Sequence, residues 1–310
     1  MTITPFPRST GAFDVGRAAI DPATLHRRLA HWNHDRLSPA APTATWREDL
    51  QHECAMRALE GGWVEGLRAD VMARAAEAPT DPDGFVAWFE GLQQSGPGQN
   101  DDLFPFLAEE ATREELCWFL TQEAAGEAGF DDLVAYTQVK LPALAKLELA
   151  RNYWDEMGRG NLRGMHGVLL DQTTEDLGLK PSIDETIWEA LALANTMTAL
   201  ATTRRYAWHS VGALGVVELT APGRVALVAQ GLKRIGVEPR TRKYFDLHAV
   251  LDVKHSADWN EEALKPSLAE DPSVGRWIAE GALMRLECGR RCFESYRAAL
   301  RPSPPQLAHA

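Results

Sequence analysis

The segment from Tyr244 to His255 constrains the fold more than any other part of the chain. It contains His248, Asp252 and His255, which are spaced i, i+4 and i+7. On an α-helix, which turns by about 100° per residue, these three side chains fall within roughly 60° of one another. Two imidazoles and a carboxylate on one helical face are half of a metal site, and this N/O donor set suits iron, manganese or zinc better than calcium or magnesium. The alternative interpretation is a solvated helical face with two histidines near an acid.

Further candidate ligands lie upstream in helical surroundings. Glu123 and Glu218 each stand among large apolar residues, where a carboxylate is rarely buried unless it is paired or binds a metal. Glu156 and His166 are ten residues apart, which on an unbroken helix would separate them by about 80°. Glycines at positions 158, 160 and 164 permit a local break that brings the two side chains together, although a plain loop between helices is the alternative. Four helical segments could therefore converge on a site for two cations.

The hydrophobic pattern is helical from Trp46 onward, and no alternation of apolar and polar residues is long enough for a sheet. Helix starts are indicated at Asp81 and at Thr112 and Ser182, each of the last two followed three residues later by Glu. Pro142 is expected to kink or split its helix. An all-α bundle is the economical fold, with ligands that project inward from facing helices. The predicted helices are 23–35, 44–61, 63–77, 81–94, 103–111, 112–128, 130–157, 161–176, 183–208, 210–219, 222–235, 239–257, 259–270 and 273–300.

The chain of 310 residues is long enough for one large domain. We predict a single helical domain over residues 46–300. We expect residues 1–45 to be an N-terminal extension that carries the short helix, and residues 301–310, which contain several prolines, to be a disordered tail.

Charge and composition exclude several classes of partner. A net charge of −12 argues against nucleic acid or an anionic membrane surface, because both require a basic footprint. We expect the longest apolar runs to be too short or too interrupted to span a bilayer, and no secretory signal is visible at the N-terminus. The four cysteines form no C-x-x-C motif and are expected to be reduced thiols. A cytoplasmic protein is therefore expected.

Taken together, these residues resemble the haem-oxygenase-like diiron oxidases and oxygenases, also called iron-containing redox enzymes. The resemblance covers roughly residues 100–298 and includes a Glu near the end of an aromatic-rich helix, a Glu-x9-His motif, a His-x3-Asp-x2-His motif and an additional carboxylate. The matching positions are Glu123, Glu156, His166, Glu218, His248, Asp252 and His255. Glu127, one turn after Glu123, is the alternative for the first ligand.

The resemblance implies a haem-oxygenase-like helical bundle with a non-haem diiron site in its interior. Two Fe(II)/Fe(III) ions would activate O₂ with electrons from an external donor, such as a separate reductase. Glu156 would bridge the ions, His166 and His255 would bind one of them and His248 the other, and Asp252 would be shared or terminal. A homodimer is the default expectation for such a chain.

Glu218 distinguishes branches of this family. The N-oxygenases are similar in having an additional carboxylate, whereas relatives that cleave fatty acids or fragment amino acids generally have six ligands. The resemblance therefore implies N-oxygenation of a small-molecule amine to a hydroxylamine, nitroso or nitro product, in natural-product biosynthesis, with Glu218 and Glu156 as the catalytic carboxylates. Asp155 and Asp246 are candidate acceptors for imidazole N–H groups or else surface acids. Residues 204–209 could line a pocket or form a mixed surface and core face.

Other functions stay open at this point. Within the fold, a diiron oxidase could cleave or desaturate an amino acid or fatty acid. A metal-free helical binding protein is a more remote alternative, as is a thiaminase-like enzyme that uses Cys117. Haem oxygenase activity itself is disfavoured, because it needs one haem-ligating histidine and not an array of carboxylates.

Overall fold

The computed structural model describes residues 20–301, and within this range it contains helices and no strand. The helices are α1 (Pro22–Leu37), α2 (Trp46–Ala75), α3 (Pro82–Ser95), α4 (Leu103–Glu109), α5 (Arg113–Ala125), α6 (Phe130–Thr137), α7 (Ala143–Glu156), α8 (His166–Leu177), α9 (Trp188–Thr202), α10 (Ala207–Arg234), α11 (Lys243–Asp258), α12 (Lys265–Glu270) and α13 (Val274–Leu300). A π-helical turn, Trp259–Leu264, joins α11 to α12. The predicted all-α fold is therefore confirmed.

Local sequence signals predicted several helix boundaries correctly. Asp81 caps α3 by accepting a hydrogen bond from the Gly84 amide at 2.7 Å. Thr112 and Glu115 form a reciprocal capping box at the start of α5. Pro142 separates α6 from α7, as expected for a residue that cannot continue a helix.

Three predicted breaks and one predicted start are wrong. The chain continues through residues 61–63 as the single helix α2, and through residues 208–210 and 219–222 as the single helix α10. Pro222 lacks the N–H that would bond the carbonyl of Glu218, yet the helix persists, and Gln93 donates from its side chain to the neighbouring carbonyl of Leu219 at 3.2 Å. Tertiary packing therefore overrides the local break. The signal at Ser182 precedes a short 3₁₀ turn, and α9 begins only at Trp188.

Helices α10 and α13 cross closely at the centre of the bundle because glycines remove the side chains between them. A Cβ atom on Gly212 would lie 1.9 Å from the carbonyl oxygen of Ile278, and one on Gly281 would lie 1.9 Å from the carbonyl oxygen of His209. Only glycine allows two helical backbones to approach to this distance. This crossing fixes α10, which also packs on α11 and α4 and delivers Glu218 to the interior.

The segment Arg204–Arg234, which contains α10, is long and apolar enough to cross a membrane by length and composition alone. For this segment, length and composition therefore contradict the expectation that the longest apolar runs are too short or too interrupted to span a bilayer. Its most apolar window is 61% buried inside the protein, which is typical of the central helix of a packed bundle.

The N-terminal helix α1 is docked rather than isolated. Asn33 donates a hydrogen bond to Asn195 of α9 at 2.8 Å, and Leu29 and Trp32 are buried. Residues 1–19 and 302–310, which hold the rest of the predicted extension and almost all of the predicted tail, lie outside the described residues.

Candidate metal centre

Glu156 and His166 meet because the chain between them is rich in glycine. Helix α7 ends at Glu156, two short 3₁₀ turns follow, and α8 begins at His166. Gly158 and Gly160 have φ of 59° and 82°, and a Cβ atom on Gly158 would lie 2.3 Å from the carbonyl carbon of Gly164. The result is a distance of 2.7 Å between Glu156 Oε2 and His166 Nδ1. The local break that the glycines predicted is therefore present.

Helix α11 supplies the other histidines, each oriented by a neighbouring acceptor. The Nδ1 atom of His248 donates to the carbonyl of Tyr244 at 2.8 Å, which leaves Nε2 free to bind a cation. The Nε2 atom of His255 lies 3.2 Å from Asp155 Oδ2, which leaves Nδ1 facing the site. Such outer partners fix both the tautomer and the ring orientation of a metal-binding histidine.

Glu218 enters from α10 and is almost completely buried. Its Oε1 accepts a hydrogen bond from Asn152 Nδ2 at 2.6 Å, and its Oε2 lies 3.5 Å from His255 Nδ1. Asn152 was missed from the sequence, although its position four residues before Glu156 on the same helix places both side chains on one face.

The donors form two groups that share Glu156. One group is Glu156, His166 and His248, and the other is Glu156, Glu218 and His255, with the donor atoms of each group within 4.8 Å of one another. Glu156 thus has the position expected of a bridge. The predicted pairing of histidines is wrong: His166 lies with His248, with ring centres 4.5 Å apart, and His255 belongs to the other group.

Asp252 and Glu127 complete the wall around these groups, whereas Glu123 does not reach them. The Oδ1 atom of Asp252 lies 3.9 Å from His255 Nδ1. Glu127 lines the same cavity as Glu156, Glu218, His248 and Asp252. The carboxylate of Glu123 instead accepts a hydrogen bond from Tyr296 at 2.8 Å. Of the two alternatives from the sequence, Glu127 is the one that the fold brings to the cluster.

The chemistry of the donor set fits a pair of cations. No Lys or Arg among residues 20–301 forms an ion pair with Glu156, Glu218 or Asp252. The Nδ1 atoms of His166 and His255 and Oδ1 of Asp252 are buried without a hydrogen-bond partner within the described chain. Buried carboxylates normally need such partners or a metal. The neighbouring oxygens and nitrogens therefore face common points that cations can occupy.

The pKa values reflect the same lack of positively charged partners for the buried carboxylates. Burial, with added repulsion from Glu218 and Glu156, raises the pKa of Asp252 to about 10. Burial raises the pKa of Glu156 to about 8 despite the favourable charge of His248. Burial alone would lower the pKa of His255, but the Glu218 carboxylate outweighs it and raises the value to about 9. Without a metal, these raised pKa values favour the protonated forms of all three groups.

A small cavity of about 80 Å³ adjoins the cluster. Apart from the polar groups, its walls are the apolar side chains of Phe130, Val217, Ala221 and Val225 and the ring of Tyr244. Apolar side chains therefore lie directly beside the acidic and imidazole groups of the cluster.

The other sequence candidates lie elsewhere. Asp246 pairs with Arg242 at 3.0 Å and has no contact with a candidate ligand, in contrast to Asp155. Arg204 donates to backbone carbonyls at the end of α6, and Arg205 and Tyr206 bind Glu65. A separate pocket of about 290 Å³, which contains none of the metal donors, is lined by Arg68, Arg205, Tyr206, Trp208, His209 and Trp277.

Comparison with known proteins supports the same class. Residues 117–290, more than half of the chain, match a family described as iron-containing redox enzymes. The chain therefore belongs to this family, and its fold is the haem-oxygenase-like helical bundle that the sequence predicted. No curated protein matches the chain significantly. Family membership supports an oxidoreductase that uses iron, and the Glu and His clusters provide candidate sites for that metal.

Proposed function

We propose that the protein is a non-haem diiron oxygenase that activates O₂ and N-oxygenates a small-molecule amine. The observation that carries the proposal is the position of Glu156, which belongs to both groups of metal donors. A shared carboxylate with two oxygens is the natural bridge between two ions. The ions would be held by Glu156, His166 and His248 on one side and by Glu156, Glu218 and His255 on the other, with Asp252 and Glu127 within the same cluster.

The bound irons supply the redox chemistry with O₂, and electrons come from an external donor. The chain itself holds the donors in place and limits access of water. Asp155 orients His255, the carbonyl of Tyr244 orients His248, and Asn152 holds Glu218. The apolar walls of Phe130, Val217 and Val225 exclude competing water from the cavity next to the metals.

Glu218 supports N-oxygenation over other diiron reactions. It is an additional buried carboxylate that lies within reach of His255, and it brings a further negative charge to one ion. Added negative charge stabilises a higher oxidation state of the metal. The amine product would be a hydroxylamine, nitroso or nitro compound, and a biosynthetic role suits such a product.

Anaerobic titration of metal-free protein with Fe(II), followed by exposure to O₂, tests the metal assignment. We expect two irons per chain and a transient change in visible absorbance after O₂ is added. Incubation with a panel of amines and isotopically labelled O₂ should then give products with labelled oxygen on nitrogen. Fewer than two irons would overturn the diiron assignment. Cleaved or desaturated products without oxygen on nitrogen would favour a diiron oxidase instead.

Glu218→Gln tests the role of this carboxylate, and Glu148→Gln is its matched control. Both glutamates are buried on neighbouring helices, but Glu148 is already paired with Arg151. We expect Glu218→Gln to weaken the second iron and to change the lifetime of the absorbance or the product, whereas Glu148→Gln leaves iron content and product unchanged. An unaltered lifetime and product in Glu218→Gln would remove Glu218 from the proposal.

A further inference from the structure

The cavity beside the metal donors is too small to hold an organic substrate by itself. Its volume is about 80 Å³, whereas pockets that bind small organic molecules usually measure roughly 300 to 1,000 Å³. A second space, which we call the chamber, has a volume of about 440 Å³. Glu218 lines both spaces and therefore forms part of the wall between them. The chamber is thus a space of suitable size that adjoins the metal donors.

The chamber lies among α3, α10 and α11, and its lining suits an organic cation. The described residues that line it include two glutamates, Glu90 and Glu218, and no lysine or arginine. Leu219, Pro222 and Val253 add apolar surface. Glu90 and Val253 are exposed, so the chamber opens to solvent. Negative charge without a compensating basic side chain attracts a cation, and the apolar groups can contact its carbon chain.

The chamber wall holds hydrogen-bond acceptors that lack donors within residues 20–301. Glu90 forms no ion pair there, and its Oε1 accepts a hydrogen bond from Asn260 Nδ2 at 3.2 Å. The Oδ1 atom of Asn260 is buried and has no partner. Pro222 cannot donate to the carbonyl of Glu218, which therefore lacks its usual helical donor. Because buried acceptors normally find a donor, these groups indicate a ligand that brings N–H groups.

Asn260 is placed in this wall by the π-helical turn Trp259–Leu264. Turns of this type are rare and often lie at functional sites. The indole of Trp259 fixes the turn against α10, because it is fully buried and its Nε1 lies 2.5 Å from the point that a Cβ atom on Gly215 would occupy. The turn therefore holds Asn260 beside α10 and in contact with Glu90 of α3.

Gly91 keeps the chamber open. It lines the chamber in the interior of α3, and a Cβ atom at this position would meet no atom within 4 Å. Packing therefore does not require glycine here, and glycine is among the least favourable residues for a helix interior. The missing side chain leaves room for a ligand.

We propose that the chamber binds an organic ammonium ion and that Glu90 is the carboxylate that pairs with it. Alkylamines are protonated near neutral pH, as the lysine side chain is, so the form that arrives from solvent is a cation. The cation site stands on the chamber alone, whereas its use as the entrance for an amine substrate, past Glu218 to the metals, rests on the proposed function.

An inorganic cation fits the chamber less well. The groups of three donors that could hold a metal ion within residues 20–301 all contain Glu156, and none includes Glu90 or Asn260. The volume of the chamber also exceeds that of a single ion, and part of its wall is apolar. An alkylammonium ion uses both the acceptors and the apolar surface.

Matched pairs of small probes test the site on the Fe(II)-loaded protein under anaerobic conditions near neutral pH. The probes are n-butylamine against 1-butanol and n-hexylamine against 1-hexanol, titrated by calorimetry. We expect each amine to bind about 3- to 10-fold more tightly than its alcohol, between the values for an exposed and a buried charged pair. Equal affinities within both pairs, or no binding by either amine, would overturn the proposal.

Glu90→Gln locates the preference, and Asp83→Asn is its control. Asp83 is an exposed acid on the same helix, but it pairs with Lys265 at 3.2 Å and does not line the chamber. We expect Glu90→Gln to remove the difference between amine and alcohol and to leave the affinity for the alcohol unchanged, whereas Asp83→Asn keeps the difference. A preference that persists in Glu90→Gln would place the ammonium group elsewhere and contradict the proposal.

Gly91→Leu tests the chamber as a space, and Gly66→Leu is its control. Gly66 is also a helical glycine whose Cβ atom would meet nothing within 4 Å, but it does not line the chamber. We expect Gly91→Leu to weaken binding of hexylamine by about 10-fold or more, because leucine fills the space of the ligand. Iron content should stay at two ions in both variants. Impaired iron uptake with unchanged hexylamine binding in Gly91→Leu would make the chamber a route for metal ions and overturn the proposal.

The two proposals fail in different ways. An amine preference that depends on Glu90, without oxygen on nitrogen in any product, would keep the cation site and overturn N-oxygenation. N-oxygenation of amines at an unchanged rate in Gly91→Leu, with no amine preference in the unmodified protein, would overturn the cation site and keep the reaction.

Discussion

Two buried clusters, to each of which α10 contributes one residue, both place glutamate beside histidine and yet behave in opposite ways. In the first, which we call the paired cluster, Glu280 accepts from His209 at 3.0 Å, from Arg68 at 2.9 Å and from Arg276 at 3.1 Å. In the second, the candidate metal centre, Glu156 and Glu218 face histidines and no arginine. Both sets of carboxylates are almost completely buried.

Their pKa values differ in direction. Burial would raise the pKa of Glu280, but the hydrogen bonds from Arg68 and His209 outweigh it and hold the value below its usual range. Burial of Glu156 has no such compensation, and its pKa rises to about 8. A buried glutamate beside a histidine is therefore no sign of a metal by itself. The absence of compensating arginines around several such glutamates, within the described chain, is what requires a cation.

The largest effect should come from Glu156→Ala, which removes the only donor that the two groups share. We expect iron content to fall from two ions to fewer than one per chain. Amine oxidation should fall by more than about 100-fold. That is the largest loss expected when a residue that only orients a metal ligand is changed, and Glu156 is itself a proposed ligand. Elemental analysis of the reconstituted protein and circular dichroism of its fold provide the measurement. A variant that keeps both irons would mean that the two groups bind metal independently.

Glu280→Gln should break the paired cluster without affecting the metals. The change leaves Arg68, Arg276 and His209 without their shared carboxylate. We expect a loss of about 3 kcal/mol in the free energy of unfolding, at the low end for a buried ion pair because Arg276 is half exposed. Chemical denaturation measures the loss, and iron titration should still give two ions. Reduced iron content at full stability would contradict the separation of the two clusters.

The sequence predicted the parts of this comparison that depend on local spacing. The triad on α11 and the glycine-rich turn after Glu156 follow from helical periodicity and from the conformational freedom of glycine. The pairing of His166 with His248 depends on how α8 is rotated against α11, which no local pattern encodes. Glu127 could not be preferred over Glu123, because the partner of Glu123 is Tyr296, far along the chain. Pro222 suggested a break that tertiary packing suppresses.

The two clusters should also respond oppositely to pH. Because the pKa of Glu156 is raised from 4.5 to about 8, the metal-free protein binds more protons when folded, and this contribution to stability is lost as pH rises across that interval. The pKa of Glu280 is lowered, so its contribution is present above the usual glutamate value and is lost as pH falls through the folded value.

Metal binding should therefore release protons. At about pH 6.5 we expect Asp252, Glu156 and His255 to carry protons in the metal-free protein, which a cation must displace. Calorimetric titration with Fe(II) in buffers of different ionisation enthalpy counts the protons released, and Glu280→Gln should release the same number. Metal uptake without proton release would show that the acids are already ionised in the empty site.

The smallest expected effect is a change in the affinity for one iron, and it distinguishes Asp155 from Asp246. From the sequence, both acids were equally good candidates to accept a hydrogen bond from an imidazole N–H. Asp155 contacts His255 Nε2 at 3.2 Å, so its carboxylate keeps the Nδ1 lone pair of this ring directed to the metal. Asp155→Asn should weaken the ion bound by Glu218 and His255 by about 10- to 100-fold and leave the ion at His166 and His248 in place. Asp246→Asn is the matched control, because Asp246 pairs with Arg242 at the surface. Stepwise Fe(II) titration separates the two affinities. Equal weakening of both ions in Asp155→Asn would mean that this acid supports the whole cluster, whereas selective weakening would assign each histidine to its own ion.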